Sequence, residues 1–254
     1  MEIVNYIINA LLSAGLFMLV CVLPWIIVAL VMQLFSNSLR KSMAKLLGVK
    51  GYVYLTCPGV MVHELGHAVF CVIFGHHINE MKLFSPEEDG TLGYVNHSYN
   101  PKSRYQNIGN FFIGTGPIWF GITVLWLISK FFLPDGILNG DADIFSRIER
   151  LFAFICSLEF WTDWKSYLWL YLAITVSSHV TLSPPDLAGA VKGGAALVSF
   201  IVLAFLLFGW LGHWELNIIS FFTYWFLSLF GILLLFLCIL FAFSLFFKII
   251  TWKK

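Results

Sequence analysis

The residues best suited to chemistry lie in the segment His63-Glu64-Leu65-Gly66-His67, which has the pattern H-E-x-x-H. On a helix, residues four apart share a face, so both imidazoles can reach one metal ion. Glu64 follows His63 directly, where its carboxylate can take a proton from a water molecule at that metal. The pattern is typical of zinc sites. Zinc lowers the pKa of a bound water toward 7 and polarises a carbonyl group, and both effects promote hydrolysis. The motif therefore indicates hydrolytic zinc chemistry.

The surroundings of Glu64 strengthen this interpretation. The neighbouring segments 60–62 and 68–70 are entirely apolar. A charged side chain in the middle of such a helix costs about 2.5–3.5 kcal/mol for membrane insertion, and ionisable groups in these places are usually functional. We therefore expect a metal site on this helix.

A hydrolytic zinc site needs a third protein ligand. The candidates are Asp186, His179, Glu159, His76 and His77. Asp186 follows two prolines at the end of an apolar run, and a turn at membrane depth must be buried in protein or line a wet cavity. An aspartate there can also cap the next helix. We favour Asp186 as the ligand, with His179 as the next candidate or as a residue that contacts the ligands or the substrate.

The composition places this motif in a membrane protein. Of the 254 residues, 59% are hydrophobic and 11% are charged, with a mean hydropathy of +0.86, whereas a soluble domain carries about 25% charged residues. The net charge of +1 and the lack of a dense basic block argue against nucleic acid as a partner. The five cysteines are scattered and predict inert thiols.

The apolar runs predict an all-α polytopic integral membrane protein with about six transmembrane helices. They cover about residues 7–34, 58–74, 110–133, 164–182, 190–212 and 216–250. The first run has no basic region before it and is too long for a signal peptide, so we expect it to be a retained span. Lys and Arg divide almost evenly between the two sides, which leaves the orientation open.

A small β-hairpin is expected after the motif helix. Residues 81–85 and 91–98 contain β-forming side chains and flank the turn-forming sequence Glu87-Glu88-Asp89-Gly90. No internal repeat or linker interrupts the chain, so residues 1–254 are expected to form a single membrane-embedded domain with a core of about 57–190.

At these positions the chain resembles the site-2 protease family of intramembrane zinc metalloproteases. The matching segments are, in order, His63–His67, Gly93-Tyr94-Val95, Gly114-Thr115-Gly116-Pro117 and Pro184-Pro185-Asp186. The resemblance implies that His63, His67 and Asp186 bind zinc and that Glu64 is the general base. It also implies that the strand at Gly93, Tyr94 and Val95 pairs with an unwound substrate segment.

The chain departs from the family pattern in three places. The family's asparagine after the Gly-Pro pair is absent, because Ile118-Trp119-Phe120 follows Pro117. The family's Asp-Gly ligand pair appears here as Asp186-Leu-Ala-Gly189. The asparagine that precedes the family's prolines is not evident, although His179 lies near its position. These differences indicate a divergent branch.

The expected activity is zinc-dependent cleavage of a membrane-anchored protein or peptide. One alternative is a membrane metalloprotease of the prenyl-protein type, in which Glu159 of the sequence Glu159-Phe-Trp-Thr-Asp163 is the third ligand. The other is a zinc-containing membrane protein without hydrolytic activity. The sequence specifies neither the substrate nor the oligomeric state.

Overall fold

The computed structural model describes residues 2–21, 23–137, 144–208 and 236–252. These residues are mostly helical, with one small two-stranded sheet, as predicted. The elements are α1 (Glu2–Cys21), α2 (Leu23–Leu55), α3 (Cys57–Ile73), β1 (His77–Lys82), β2 (Tyr94–Ser98), α4 (Arg104–Phe132), α5 (Ile144–Ile155), α6 (Leu158–Thr162), α7 (Trp164–Ser177), α8 (Pro184–Phe208) and α9 (Phe236–Ile250).

Three helices in the described residues are long and apolar enough to cross a membrane, and they lie in α1, α4 and α8. A fourth span results if residues Ala29–Leu55 of α2 and the whole of α3, which meet at a bend of 45°, count as one. The expected six spans are not confirmed. The first apolar run divides between α1 and α2, and α7 has only 14 residues, fewer than the ~20 that a span needs. Much of the last run lies outside the described residues.

The motif helix α3 has the predicted ends. Thr56 is the N-cap residue and Pro58 lies in the first turn, where a missing N–H does not interrupt helical hydrogen bonding. Gly75 has a φ of +67° just after the helix, and the His76 N–H donates to the carbonyl of Cys71 at 2.8 Å. Local sequence therefore fixes both ends of the helix that carries the motif.

The predicted β-hairpin is present, although its first strand begins earlier than expected, at His77. The strands are antiparallel, with His77 opposite Ser98 and Lys82 opposite Tyr94, and a bulge interrupts the register near Glu80. Beyond the strands, the Ser85 N–H donates to the Leu92 carbonyl at 2.7 Å. This pairing holds the segment before β2 close to β1.

Helix α4 lies at the centre of the bundle. The apolar windows of α1 and α8 are each 11% buried, against 44% for that of α4. Close backbone approach at glycines makes this packing possible. A Cβ atom on Gly66 of α3 would lie 2.8 Å from Cα of Pro117, and one on Gly114 of α4 would lie 2.4 Å from the carbonyl oxygen of Asp186. The motif helix thus packs closely against α4 at Gly116 and Pro117, and the Asp186 segment packs against it at Gly114.

The apolar core includes Ile118, Ile122 and Leu125 of α4. Its largest fully buried side chains include Ile122, Leu125, Phe160, Trp169 and Phe236. The indole N–H of Trp169 donates to Oγ of Ser129 at 3.0 Å, so the one polar atom of this ring is satisfied within the core.

Candidate metal centre

His63, His67 and Asp186 come together in space and form a group that can hold a metal ion. The two Nε2 atoms of the histidines are 3.3 Å apart. Asp186 places Oδ1 at 3.1 Å from Nε2 of His67 and Oδ2 at 3.5 Å from Nε2 of His63. All three residues are buried or half-buried.

These separations fit a tetrahedral ion. Zinc–nitrogen and zinc–oxygen bonds are about 2.0–2.2 Å long, and in a tetrahedron this places neighbouring ligand atoms about 3.3–3.6 Å apart. The observed separations of 3.1, 3.3 and 3.5 Å lie close to that range. Three protein ligands leave the fourth position for water or substrate, as in catalytic zinc sites.

The ring of His67 is held by a backbone carbonyl that lacks its usual helical hydrogen bond because of a proline. Nδ1 of His67 donates to the carbonyl of Ile113 in α4 at 2.7 Å. In a regular helix this carbonyl would accept the N–H of the residue four positions later, which here is Pro117, and proline has no N–H. The free carbonyl therefore fixes the orientation of His67 and leaves its Nε2 without a proton.

The ring of His63 is held in the same way from another part of the chain. Its Nδ1 donates to the carbonyl of His179 at 2.9 Å. His179 follows the end of α7, where carbonyl groups have no helical partner. The imidazole of His179 itself turns away, with Nδ1 within 3.0 Å of the Thr175 carbonyl and 3.1 Å of Oγ of Ser178. His179 is thus not part of the ligand group, and its backbone positions a member of that group.

Asp186 is held by a capping box at the start of α8. Its Oδ2 accepts the N–H of Ser183 at 2.8 Å, while Oγ of Ser183 accepts the N–H of Asp186 at 3.3 Å. The two prolines between them occupy the first turn of the helix, which tolerates them. Asp186 was expected in an irregular turn, and it lies instead in the first turn of α8. It caps this helix and faces the two histidines at once.

The electrostatics of the group favour a cation. Because both Nδ1 atoms donate to carbonyls, both Nε2 atoms present lone pairs when the rings are neutral. These lone pairs face each other and the carboxylate of Asp186 within 3.5 Å. Acceptors placed this closely repel one another unless a positive charge lies between them. The donor set of two imidazoles and one carboxylate matches that of catalytic zinc sites.

Glu64 lies beside this group in a cavity of about 810 Å³. It is buried, with 7% of its surface exposed. Gly93 lies against it: a Cβ atom at this position would be 2.9 Å from Cγ of Glu64 and 2.8 Å from the carbonyl oxygen of Lys82. The segment before β2 therefore passes directly over the carboxylate.

The remaining predicted residues line the same cavity. Tyr94, Val95 and His179 contribute to its wall together with Gly93. Strand β2 pairs with β1 on one side, and no other strand among the described residues pairs with its second edge. Glu159 behaves differently, because it is exposed on α6 and does not line the cavity.

Three features of the site were not identified from the sequence. These are the carbonyl of Ile113, the backbone contact of His179 and a pair of histidines outside the ligand group. In that pair, His76 is buried and its Nδ1 is 3.0 Å from Nδ1 of His97, which lines the cavity. A proline four residues after Ile113 is a sequence signal for the first feature, whereas the other two depend on distant segments.

No protein-family model, curated protein or solved structure matches the chain. The resemblance to the site-2 protease family therefore remains a prediction from the motifs.

Proposed function

We propose that this protein is a zinc-dependent protease that cleaves a peptide bond of a membrane-anchored protein or peptide within or beside the bilayer. The observation that carries this function is the arrangement of His63, His67 and Asp186 around one point, with Glu64 in the same cavity. On this proposal the chain is a multi-pass membrane protein and the bound metal is zinc.

Each residue has a defined part in hydrolysis. A zinc ion at this site supplies Lewis acidity for the scissile carbonyl and for water. Glu64 accepts a proton from the attacking water and passes it to the leaving amine. The segment Gly93–Val95 lies against Glu64 and binds the substrate backbone in an extended form, through the open edge of β2. An extended substrate is required because a helix keeps its carbonyl groups in internal hydrogen bonds.

The location of Glu159 favours this function over the prenyl-protein type. A third ligand must approach both histidines, and among the described residues that carry a suitable side chain it is Asp186 that does so. An intact Glu64 beside the group favours hydrolysis over metal storage, since a structural zinc site does not need a general base.

The deciding experiment compares the purified wild-type protein with Glu64→Gln. The substitution keeps the shape of the side chain and removes its ability to accept a proton. We expect the zinc content, measured by elemental analysis, to stay near one ion per chain while cleavage of a membrane-peptide library falls by at least about 10²-fold. Equal turnover by both proteins would exclude this function.

A further inference from the structure

A polar face of α2 lines the metal cavity. It consists of Gln33, Ser36, Asn37 and Arg40. Their spacing of i, i+3, i+4 and i+7 places all four on one side of the helix. Polar and charged groups are expensive in a membrane segment and normally face the protein interior or a wet cavity. This face is therefore a feature that requires a functional explanation.

Two of these residues are already occupied by contacts within the protein. Oγ of Ser36 donates to the carbonyl of Ser178, which fixes α2 against the end of α7. Oδ1 of Asn37 accepts from Nη2 of Arg40 at 3.2 Å, which orients the guanidinium. Both contacts position the face, and neither neutralises the charge of Arg40.

The other two residues retain unmet bonding capacity. Within the described part of the chain, no carboxylate forms an ion pair with Arg40. A guanidinium has five N–H donors, so Arg40 keeps several of them free beside Asn37. Oε1 of Gln33 is fully shielded and has no hydrogen-bond partner among the described residues. Among the described residues, the wall thus offers a ligand one cation without a carboxylate partner.

The carboxylates of the cavity do not compensate Arg40. Asp186 is directed at His63 and His67, and Glu64 lies under Gly93. Arg40 is exposed where it lines the cavity, so water screens part of its charge and its attraction for an anion is moderate. A carboxylate is the anion that a polypeptide substrate supplies, and arginine binds it with two parallel hydrogen bonds.

We infer that Arg40 binds a carboxylate of the substrate. This inference rests on the proposed function and names its substrate class: polypeptides with a carboxylate close to the cleaved bond. A sphere with the cavity volume of 810 Å³ is about 12 Å across, and an extended chain advances about 3.3–3.6 Å per residue, so the carboxylate lies within about four residues of that bond. It belongs either to an Asp or Glu side chain or to the free C-terminus.

The experiment measures binding separately from cleavage. Zinc-loaded Glu64→Gln protein in nanodiscs is titrated with fluorescent peptides that carry Asp or Glu, or the matching Asn or Gln. A second peptide pair with a free or an amidated C-terminus separates the two sources of the carboxylate. We expect Arg40→Gln in this background to weaken binding of the carboxylate peptides about threefold or more, the scale of an exposed charge pair, and to leave the neutral peptides unchanged.

Two further variants sharpen the result. Arg40→Glu should shift the preference toward peptides with Lys or Arg, which a general loss of folding would not do. Lys41→Gln is the matched control, because Lys41 is the adjacent exposed cation of α2 and does not line the cavity. It should bind all peptides as its parent does.

The outcomes separate this inference from the proposed function. Equal affinity for carboxylate and neutral peptides, or equal losses of both in Arg40→Gln, would overturn the inference even if the wild type cleaves peptides. A carboxylate preference that depends on Arg40, in a protein whose wild type cleaves none of the bound peptides, would support the binding site and refute proteolysis of them.

Discussion

Asp186 is the residue on which the assignment of the site depends most. Its carboxylate accepts a backbone N–H from Ser183 and lies within 3.5 Å of both histidines. Capping alone would be satisfied by a neutral side chain, whereas a metal ion requires the negative charge. The two contributions can therefore be separated by substitution.

Asp186→Asn keeps an oxygen for the cap and removes the charge. Loss of a residue that only supports a metal ligand costs about 10- to 100-fold in metal affinity. We expect the loss of a direct ligand to lower zinc affinity by more than that. The thermal stability of α8 should change little. Zinc content is measured by elemental analysis beside Glu159→Gln, whose exposed side chain should leave zinc in place. Loss of zinc in Glu159→Gln alone would favour the prenyl-protein type of site.

Pro117 offers a second test at the scale of single residues. Replacement by alanine restores an N–H that bonds the carbonyl of Ile113, so His67 must compete for its partner. Since alanine also favours a helix, we expect zinc affinity to fall by about 10- to 100-fold while thermal stability is kept or rises. Pro134→Ala, just beyond the end of α4, is the control. Unchanged zinc affinity in Pro117→Ala would show that this carbonyl is not needed.

At the scale of elements, the hairpin and the motif helix meet at one glycine. Gly93 has no room for a Cβ atom between Glu64 and the carbonyl oxygens of Lys82 and Leu83. Any larger side chain must push the strand away from the carboxylate. The absence of a side chain is thus what lets the segment before β2 lie against Glu64.

Gly93→Ala should therefore reduce cleavage by about tenfold or more, since a small displacement of a substrate-positioning segment is costly, and should leave the zinc content unchanged. Gly15→Ala is the matched control, because a Cβ atom at Gly15 meets nothing within 4 Å. Peptide cleavage and zinc content are measured for both variants. A parallel loss of zinc in Gly93→Ala would assign the segment to the support of the fold rather than to the substrate.

At the scale of the whole molecule, His76 and His97 join three elements. Nε2 of His76 contacts the carbonyl of Gln106 in α4 at 2.8 Å, so it carries the proton, and Nδ1 of His76 then accepts from Nδ1 of His97. Burial, together with the charges that His76 and His67 would carry, lowers the pKa of His97. The folded protein therefore holds His97 neutral at pH values where the unfolded chain protonates it.

The sign of the pH dependence follows from this pKa. Above pH ~6.5, the pKa of histidine in an unfolded chain, the contribution of His97 to stability is complete. As the pH falls below that value, the unfolded state binds more protons and stability decreases until the lowered folded pKa is passed. We expect the apparent midpoint of thermal unfolding to drop between pH 7 and 5. His97→Asn, which retains a donor for His76, should show a flatter profile, and an equally steep one would contradict the prediction.

The sequence determined the parts of this protein that depend on neighbouring residues. His63 and His67 share a helix face because of the α-helical repeat, and Glu64 is the next residue round from His63. Pro58 in the first turn and Gly75 just after the last turn mark the ends of that helix. The hairpin was predicted for the same reason, since turn-forming residues act over a few positions. The number of membrane spans predicted from the sequence was not confirmed, because apolar runs do not reveal where a helix bends or stops.

The tertiary structure decided which distant groups complete the site. The sequence supplied several candidates for the third ligand, and the packing of α3 and α8 against the glycines of α4 brings Asp186 to the histidines. Packing between helices also directs the carbonyls of Ile113 and His179 at the rings. Such contacts depend on how helices approach one another, and that approach is governed by small residues far apart in the chain.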